Sequence, residues 1–298
     1  MRAGIGSLLV LLALAPACAG DDDRTTDDDG TGGDDGTTDD GGDGGLSDPV
    51  EICDGGDGLR LAARFADGGL VSPATTIPGA NGGAFLYVDG ACRAWVSGVA
   101  GQALSLTMSP DEADELTVRL GVSAWQDFAG GNWSGDAYNA PALTLWQPSG
   151  QVLCGRGCVG GDLPEPLSLV GAALLDEIDR LASTAEPLDG PMRVMAIPGI
   201  QHPFPAFEWS YEPPIKSFAD PGGPDTGVVP GLVESPSATE AVRAAWLDAQ
   251  QSGSDAQPAG SVPLPVVDAT GSQLTYALYA RDVLPFEKAD AWGGVELP

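Results

Sequence analysis

Five cysteines, a single histidine and 43 carboxylates are the side chains in this 298-residue sequence that could carry chemistry. Cys154 and Cys158 enclose Gly155-Arg156-Gly157, while Cys53 and Cys92 stand apart, as does Cys18. Three residues between two cysteines is one more than a thioredoxin-type motif has. Four thiolates could hold zinc, but no C-x-x-C pair is present. If Cys18 serves elsewhere, four cysteines remain and allow three disulfide pairings. The Gly-Arg-Gly spacer suits a tight Cys154–Cys158 ring, because glycine accepts the unusual dihedrals of a short loop. That leaves Cys53–Cys92 as the second bridge.

The other chemistries have weak starting points. His202 lies in Gln201-His202-Pro203-Phe204-Pro205, and nothing marks a serine for it to activate. There is no G-x-S-x-G elbow, no H-E-x-x-H and no phosphate-binding loop; the only lysines, Lys216 and Lys288, do not follow glycine. Asp127, Asp136, Glu208 and Glu212 lie near aromatics, as a glycoside-cleaving pair would. In a sequence this acidic such proximity carries little weight. No catalytic residue, cofactor or metal ligand is assigned, and the sequence reads as non-enzymatic. The most suggestive stretch is 124–146, where Trp125, Trp133 and Tyr138 alternate with Gln126, Asp127, Asn132, Asp136 and Asn139. Aromatic faces stack on sugar C–H groups and the polar neighbours bond hydroxyls. Trp133, Tyr138, Asn132 and Asp136 are therefore the candidate ligand surface, with a lid folded onto the core as the competing expectation.

Charge narrows the partners. The net charge is −30, which repels nucleic acid phosphates and offers no basic patch to an anionic lipid surface. The acidity is spread over the whole chain and favours solubility without specifying a fold.

The first 17 residues have the form of a signal peptide. Arg2 supplies a positive start, and Leu8 to Ala15 form an apolar run far shorter than the roughly 20 residues a membrane span needs. Ala15-Pro16-Ala17-Cys18 follows, then Asp21 to Gly45, which holds only Asp, Gly, Thr and one Arg. That composition cannot bury surface to offset chain entropy, so it reads as a disordered, extended stalk. A calcium loop is not supported, since the best EF-hand frame, from Asp39, ends on Val50 where glutamate is required. Leader, cysteine and stalk together resemble a Gram-negative bacterial lipoprotein precursor. Leu14 stands one residue earlier than that pattern has it, and the same small residues also satisfy ordinary secretory cleavage. The resemblance implies acylation of Cys18. Ala19, where an inner-membrane protein would have Asp, implies the outer membrane. It covers residues 1 to about 48 and implies no activity.

The elements that would position these residues lie in 49–298. Leu59 to Phe65 reads as a strand. Ala84 to Val88 and Ala91 to Val96 flank Asp89-Gly90, the signature of a two-residue type I′ hairpin. Ala103 to Thr107 is a further strand. Ser109-Pro110-Asp111-Glu112 is a capping box that opens a helix ended by Gly121. Leu143 to Trp146 and Gln151 to Cys154 form a second hairpin. Pro166 to Thr184 carries an apolar stripe at helical spacing, and Ser237-Ala238-Thr239-Glu240 caps a third helix with Val242, Ala245, Trp246 and Ala249 inward. Met192 to Ile197, the alternating Phe207, Trp209 and Tyr211, Val262 to Val267 and Gln273 to Asp282 complete the strands. Hairpin connections without strand–helix alternation predict an α+β fold of mainly antiparallel sheet with about three helices, stapled by disulfides. Glu186-Pro187 offers a break between a cysteine-bearing half and a cysteine-free half. Function follows from location more than from chemistry: an envelope-bound interaction or structural module. An exported carbohydrate-active or small-ligand-binding protein is the alternative, and the partner an envelope component or glycan.

Overall fold

A computed structural model describes residues 49–65, 84–98, 102–137, 141–199, 207–219, 231–252, 264–269 and 275–286. In chain order the elements are β1 (Leu59–Phe65), β2 (Phe85–Asp89), β3 (Arg93–Ser97), β4 (Ala103–Thr107), α1 (Pro110–Arg119), α2 (Trp125–Phe128), β5 (Asn132–Ser134), β6 (Leu143–Gln147), β7 (Gly150–Gly155), α3 (Glu165–Ala182) and β8 (Glu186–Pro187). The chain continues with β9 (Met192–Pro198), β10 (Phe207–Trp209), β11 (Gly231–Val233), α4 (Pro236–Ser252), β12 (Leu264–Asp268) and β13 (Thr275–Asp282). This is a mixed α+β fold with two sheets. One has eight strands in the order β5-β7-β6-β1-β2-β3-β4-β8, the other five in the order β10-β12-β13-β9-β11. Pairing is antiparallel except at β5–β7 and β10–β12.

Strand period decides what each face of the eight-stranded sheet buries, because successive side chains point to opposite sides. Leu61, Ala63, Leu86, Val88, Ala94 and Val96 lie against Leu116 of α1 and Leu167, Val170, Leu174 and Ile178 of α3. The intervening Ala62, Tyr87 and Trp95 join Trp146 in a second layer with Leu284 and Phe286, which follow β13. The Phe286 ring sits 5.2 Å from both Tyr87 and Trp95, edge-on to each. Burial on both faces explains why these strands read as nearly continuous apolar runs.

The capping box forms as the sequence predicts. Ser109 Oγ accepts from Glu112 N at 3.3 Å, and Glu112 accepts from Ser109 N at 2.8 Å. The stripe on α3 is buried as its spacing requires, and Glu177 on that helix receives Arg119 of α1 at 2.6 Å and Arg180 at 2.8 Å.

Two local expectations change. The turn at Asp89 is not a two-residue type I′ turn. Val88 pairs with Ala94, Cys92 N donates to Asp89 O at 3.1 Å, and Cys92 adopts φ 60°. This is a three-residue connection with a left-handed last residue, the next commonest hairpin form. Asp89 is buried and accepts from Ala91 N, Arg93 N and Arg93 Nε, which fixes the longer turn. Gly90 is needed for close approach: a Cβ there would collide with Asp54 and come 2.7 Å from Gly56 O. The third long helix begins at Pro236, earlier than its Ser237 capping box, with Thr239 N donating to Ser235 O at 2.9 Å. Proline without an N–H suits that first helical position. Val242 is buried in its core, and the side chains of Trp246 and Ala249 lie outside the described set.

The five-stranded sheet packs Met192, Val194, Ala196, Val266 and Leu278 with Val242 of α4 and with Trp209, Ile215 and Phe218. Tyr211 leaves the β10 strand. The Trp209 indole donates to both Tyr211 O and Pro213 O at 3.0 Å, turning the chain before the Pro213-Pro214 pair.

Candidate functional site

The four cysteines of the described region form two disulfides, Cys53–Cys92 and Cys154–Cys158, with Cα–Cα distances of 5.1 and 5.3 Å. All three non-glycine residues with positive φ among the described residues lie at these bridges: Cys92, Arg156 at 51° and Cys158 at 54°. Such conformations cost about 1–3 kcal/mol each and persist where the surroundings impose them.

The first bridge ties the 53–58 loop to the β2–β3 turn. Gly55 N donates to Gly90 O at 2.6 Å and Gly90 N to Gly58 O at 3.0 Å. Asp54 and Arg60 form a two-point pair at 2.9 and 2.5 Å. Arg60's hydrogen bonds, then that from Gly56 N, hold the Asp54 carboxyl below the ordinary aspartate range. Arg93 reaches Asp89 at 2.6 Å and Asp57 at 3.1 Å, so this loop's acidic and basic groups are spent on each other.

The second bridge builds the edge that carries the candidate ligand residues. β5 is the last strand of its sheet, with Trp133 in register with Cys154 and Ser134 with Gly155. Gly135 N donates to Gly155 O and Asp136 N to Val159 O, both at 3.0 Å. Gly135 is buried against the cysteine ring, since a Cβ on it would sit 2.5 Å from Val159 O and 2.6 Å from Val159 N.

Trp133 is half-buried. Its indole donates to Phe128 O at 2.9 Å, meets the Phe128 ring edge-on at 5.6 Å and lies over Gly131. The glycines before it are what allow the ring to lie back onto the molecule. Asn132 and Asp136 are exposed, as is Ser134. Tyr138 falls outside the described residues, as do His202 and Cys18. Asp127, Glu208 and Glu212 are exposed, the first on α2 and the other two at the five-stranded sheet. The structure adds two residues that no sequence pattern singles out. Leu153, 54% exposed, pairs with Asn132, and Val159, 55% exposed, follows the cysteine ring. The Gln151-Val152-Leu153-Cys154 run is apolar enough to hide which face is outward, and only the parity of the register reveals it.

The edge therefore presents Asn132, Ser134 and Asp136 between two exposed aliphatic side chains. It can offer hydrogen bonds and a little apolar area to a ligand. Among the described residues no group of three or more His, Cys, Asp or Glu side chains is placed to hold a metal ion. Among them, too, no helix is long and apolar enough to cross a membrane. No family model matches the chain, and neither a curated protein nor a solved structure matches it.

Proposed function

We propose that this is an exported envelope protein, held at the membrane by a lipid on Cys18 and serving as a non-enzymatic interaction module. The observation that carries the reading is the cysteine arrangement. Four of five cysteines close on each other, which fits an oxidising compartment and leaves Cys18 as the one cysteine outside these two bridges. Its setting after Ala15-Pro16-Ala17, ahead of a 25-residue stretch of Asp, Gly, Thr and one Arg, suits an acyl anchor on an extended stalk. Ala19 favours the outer membrane. Metabolic labelling with palmitate tests it: the wild type should label and Cys18→Ser should not. Equal labelling of both, or none of the wild type, overturns it.

The contact surface is assigned to the β5 edge, where Asn132 and Asp136 flank the bedded Trp133 and where Leu153 and Val159 are exposed. This arrangement also supports the second reading, a glycan-binding protein, because polar side chains beside apolar area suit a sugar. Binding to peptidoglycan fragments should fall in Asn132→Ala and Asp136→Ala with an unchanged melting temperature. No binding by the wild type would leave the protein-partner reading and remove the glycan one.

A further inference from the structure

The geometry points to the Cys154–Cys158 disulfide as a redox latch on the β5 edge: a dithiol that reduces it releases residues 132–137 while the rest of the sheet stays folded. Among the described residues β5 has a single strand neighbour, β7, and that neighbour ends in the cysteine ring. The backbone bonds of Gly135 and Asp136, just beyond β5, run to Gly155 and Val159, and Gly157 N reaches Pro141 O at 2.8 Å on the far side of the same loop. The ring holds two residues in a conformation that L-amino acids avoid, Arg156 and Cys158 at positive φ on either side of Gly157. Opening the bridge lets both relax to ordinary dihedrals. That moves the Val159 peptide on which Gly135 is seated with no room to spare.

Both sulfurs are buried, so the edge must lift before attack. A thiolate of the dithiol then displaces one cysteine sulfur, forming a mixed disulfide. Its second thiol expels the other protein sulfur. Two electrons and two protons end on Cys154 and Cys158, and the reagent leaves as its own disulfide. The Cys53–Cys92 bridge lies at the β2–β3 turn and has no part in this. The latch holds whatever the edge binds, and it does not depend on the Cys18 anchor.

Hydrogen exchange on the full mature protein tests it, with dithiothreitol as the probe. The segment 132–137 should exchange at least tenfold faster after reduction. Cys154→Ala/Cys158→Ala should show the same local change without reductant, which separates this bridge from Cys53–Cys92. Gly135→Ala should reproduce it with the bridge intact. Unchanged exchange at 132–137 in the double variant overturns the latch, and so does loss of protection throughout β1–β3. If the double variant does not fold, alkylation of the wild type under dithiothreitol decides. Capture of Cys154 and Cys158 at the exchange rate of 132–137 supports the latch; capture only at the rate of global unfolding refutes it.

Discussion

Asp282 and Ala103 are joined by a hydrogen bond of 3.0 Å, from the Ala103 amide of β4 to Asp282 Oδ2 at the end of β13, across 179 positions of sequence. The other carboxylate oxygen accepts Arg243 of α4 at 2.6 Å. One side chain, 2% exposed, thus binds a strand of the eight-stranded sheet to a helix that covers the five-stranded one. Its charge is buried and hydrogen-bonded, the arrangement that is most damaging to break from one side.

Asp282→Ala should therefore destabilise the protein by about 3–5 kcal/mol, the usual cost of leaving one partner of a buried pair uncompensated. Asp282→Asn keeps an acceptor for Ala103 N and should lose less. Urea denaturation of both variants checks the order, and equal losses would assign the whole effect to the Arg243 pair.

The two disulfides should differ in worth. Loop closure favours the bridge spanning 39 residues over the one spanning 4, by the chain-entropy relation about 4 kcal/mol against about 2. Removing Cys53–Cys92 by paired alanine substitution should lower the melting temperature more than removing Cys154–Cys158. The reverse order would show that native-state packing around the short ring outweighs chain entropy.

Gly90→Ala and Gly121→Ala separate two reasons for glycine. At Gly90 the added methyl meets the Gly56 backbone, which cannot step aside, and overpacking should cost about 3 kcal/mol. At Gly121 the surroundings are open but φ is 61°, so the loss should be about 1 kcal/mol from the dihedral alone. Thermal melts of the two variants measure the difference.

Acid should weaken the fold through Glu112 and Asp54. Hydrogen bonds from the Ser109 backbone and hydroxyl hold Glu112 below 4.5, and Arg60 holds Asp54 below 3.8. A carboxyl lowered in the folded state stabilises above its unfolded value, and the benefit disappears as pH falls through the folded value. The melting temperature should drop as pH is taken from 5 downward through this range, about pH 4.5 and lower. Glu112→Gln should flatten the part due to the capping box. A variant curve parallel to the wild type would assign the acid sensitivity elsewhere.

What the sequence reveals is local. The Ser109–Glu112 box, the α3 stripe and both hairpins follow from contacts a few residues apart, where residue type and spacing act directly. The ring from Cys154 to Cys158 is legible for the same reason. The turn at Asp89 is read as too short because its left-handed residue is Cys92 rather than glycine, held there by a partner 39 residues away. Trp133 is read as a candidate ligand face because Gly130-Gly131 looks like mere loop, whereas the second glycine gives the indole its bed. The Asp282 contacts are invisible in the chain, since neither Ala103 nor Arg243 carries a pattern that points at it.

The order of strands has a consequence for biogenesis. Among the described residues every strand of the larger sheet is drawn from 59–187, every strand of the smaller from 192–282, and none is interleaved. A chain threaded amino-terminus first delivers the whole larger sheet, with its four cysteines, before the first strand of the second emerges. Its outer face is then incomplete: Tyr87 and Trp95 await Phe286, and the Ala103 amide awaits Asp282, at the tail of the last strand. Between those two moments the nascent protein presents an open aromatic shelf, and that interval is when it most needs shelter from aggregation.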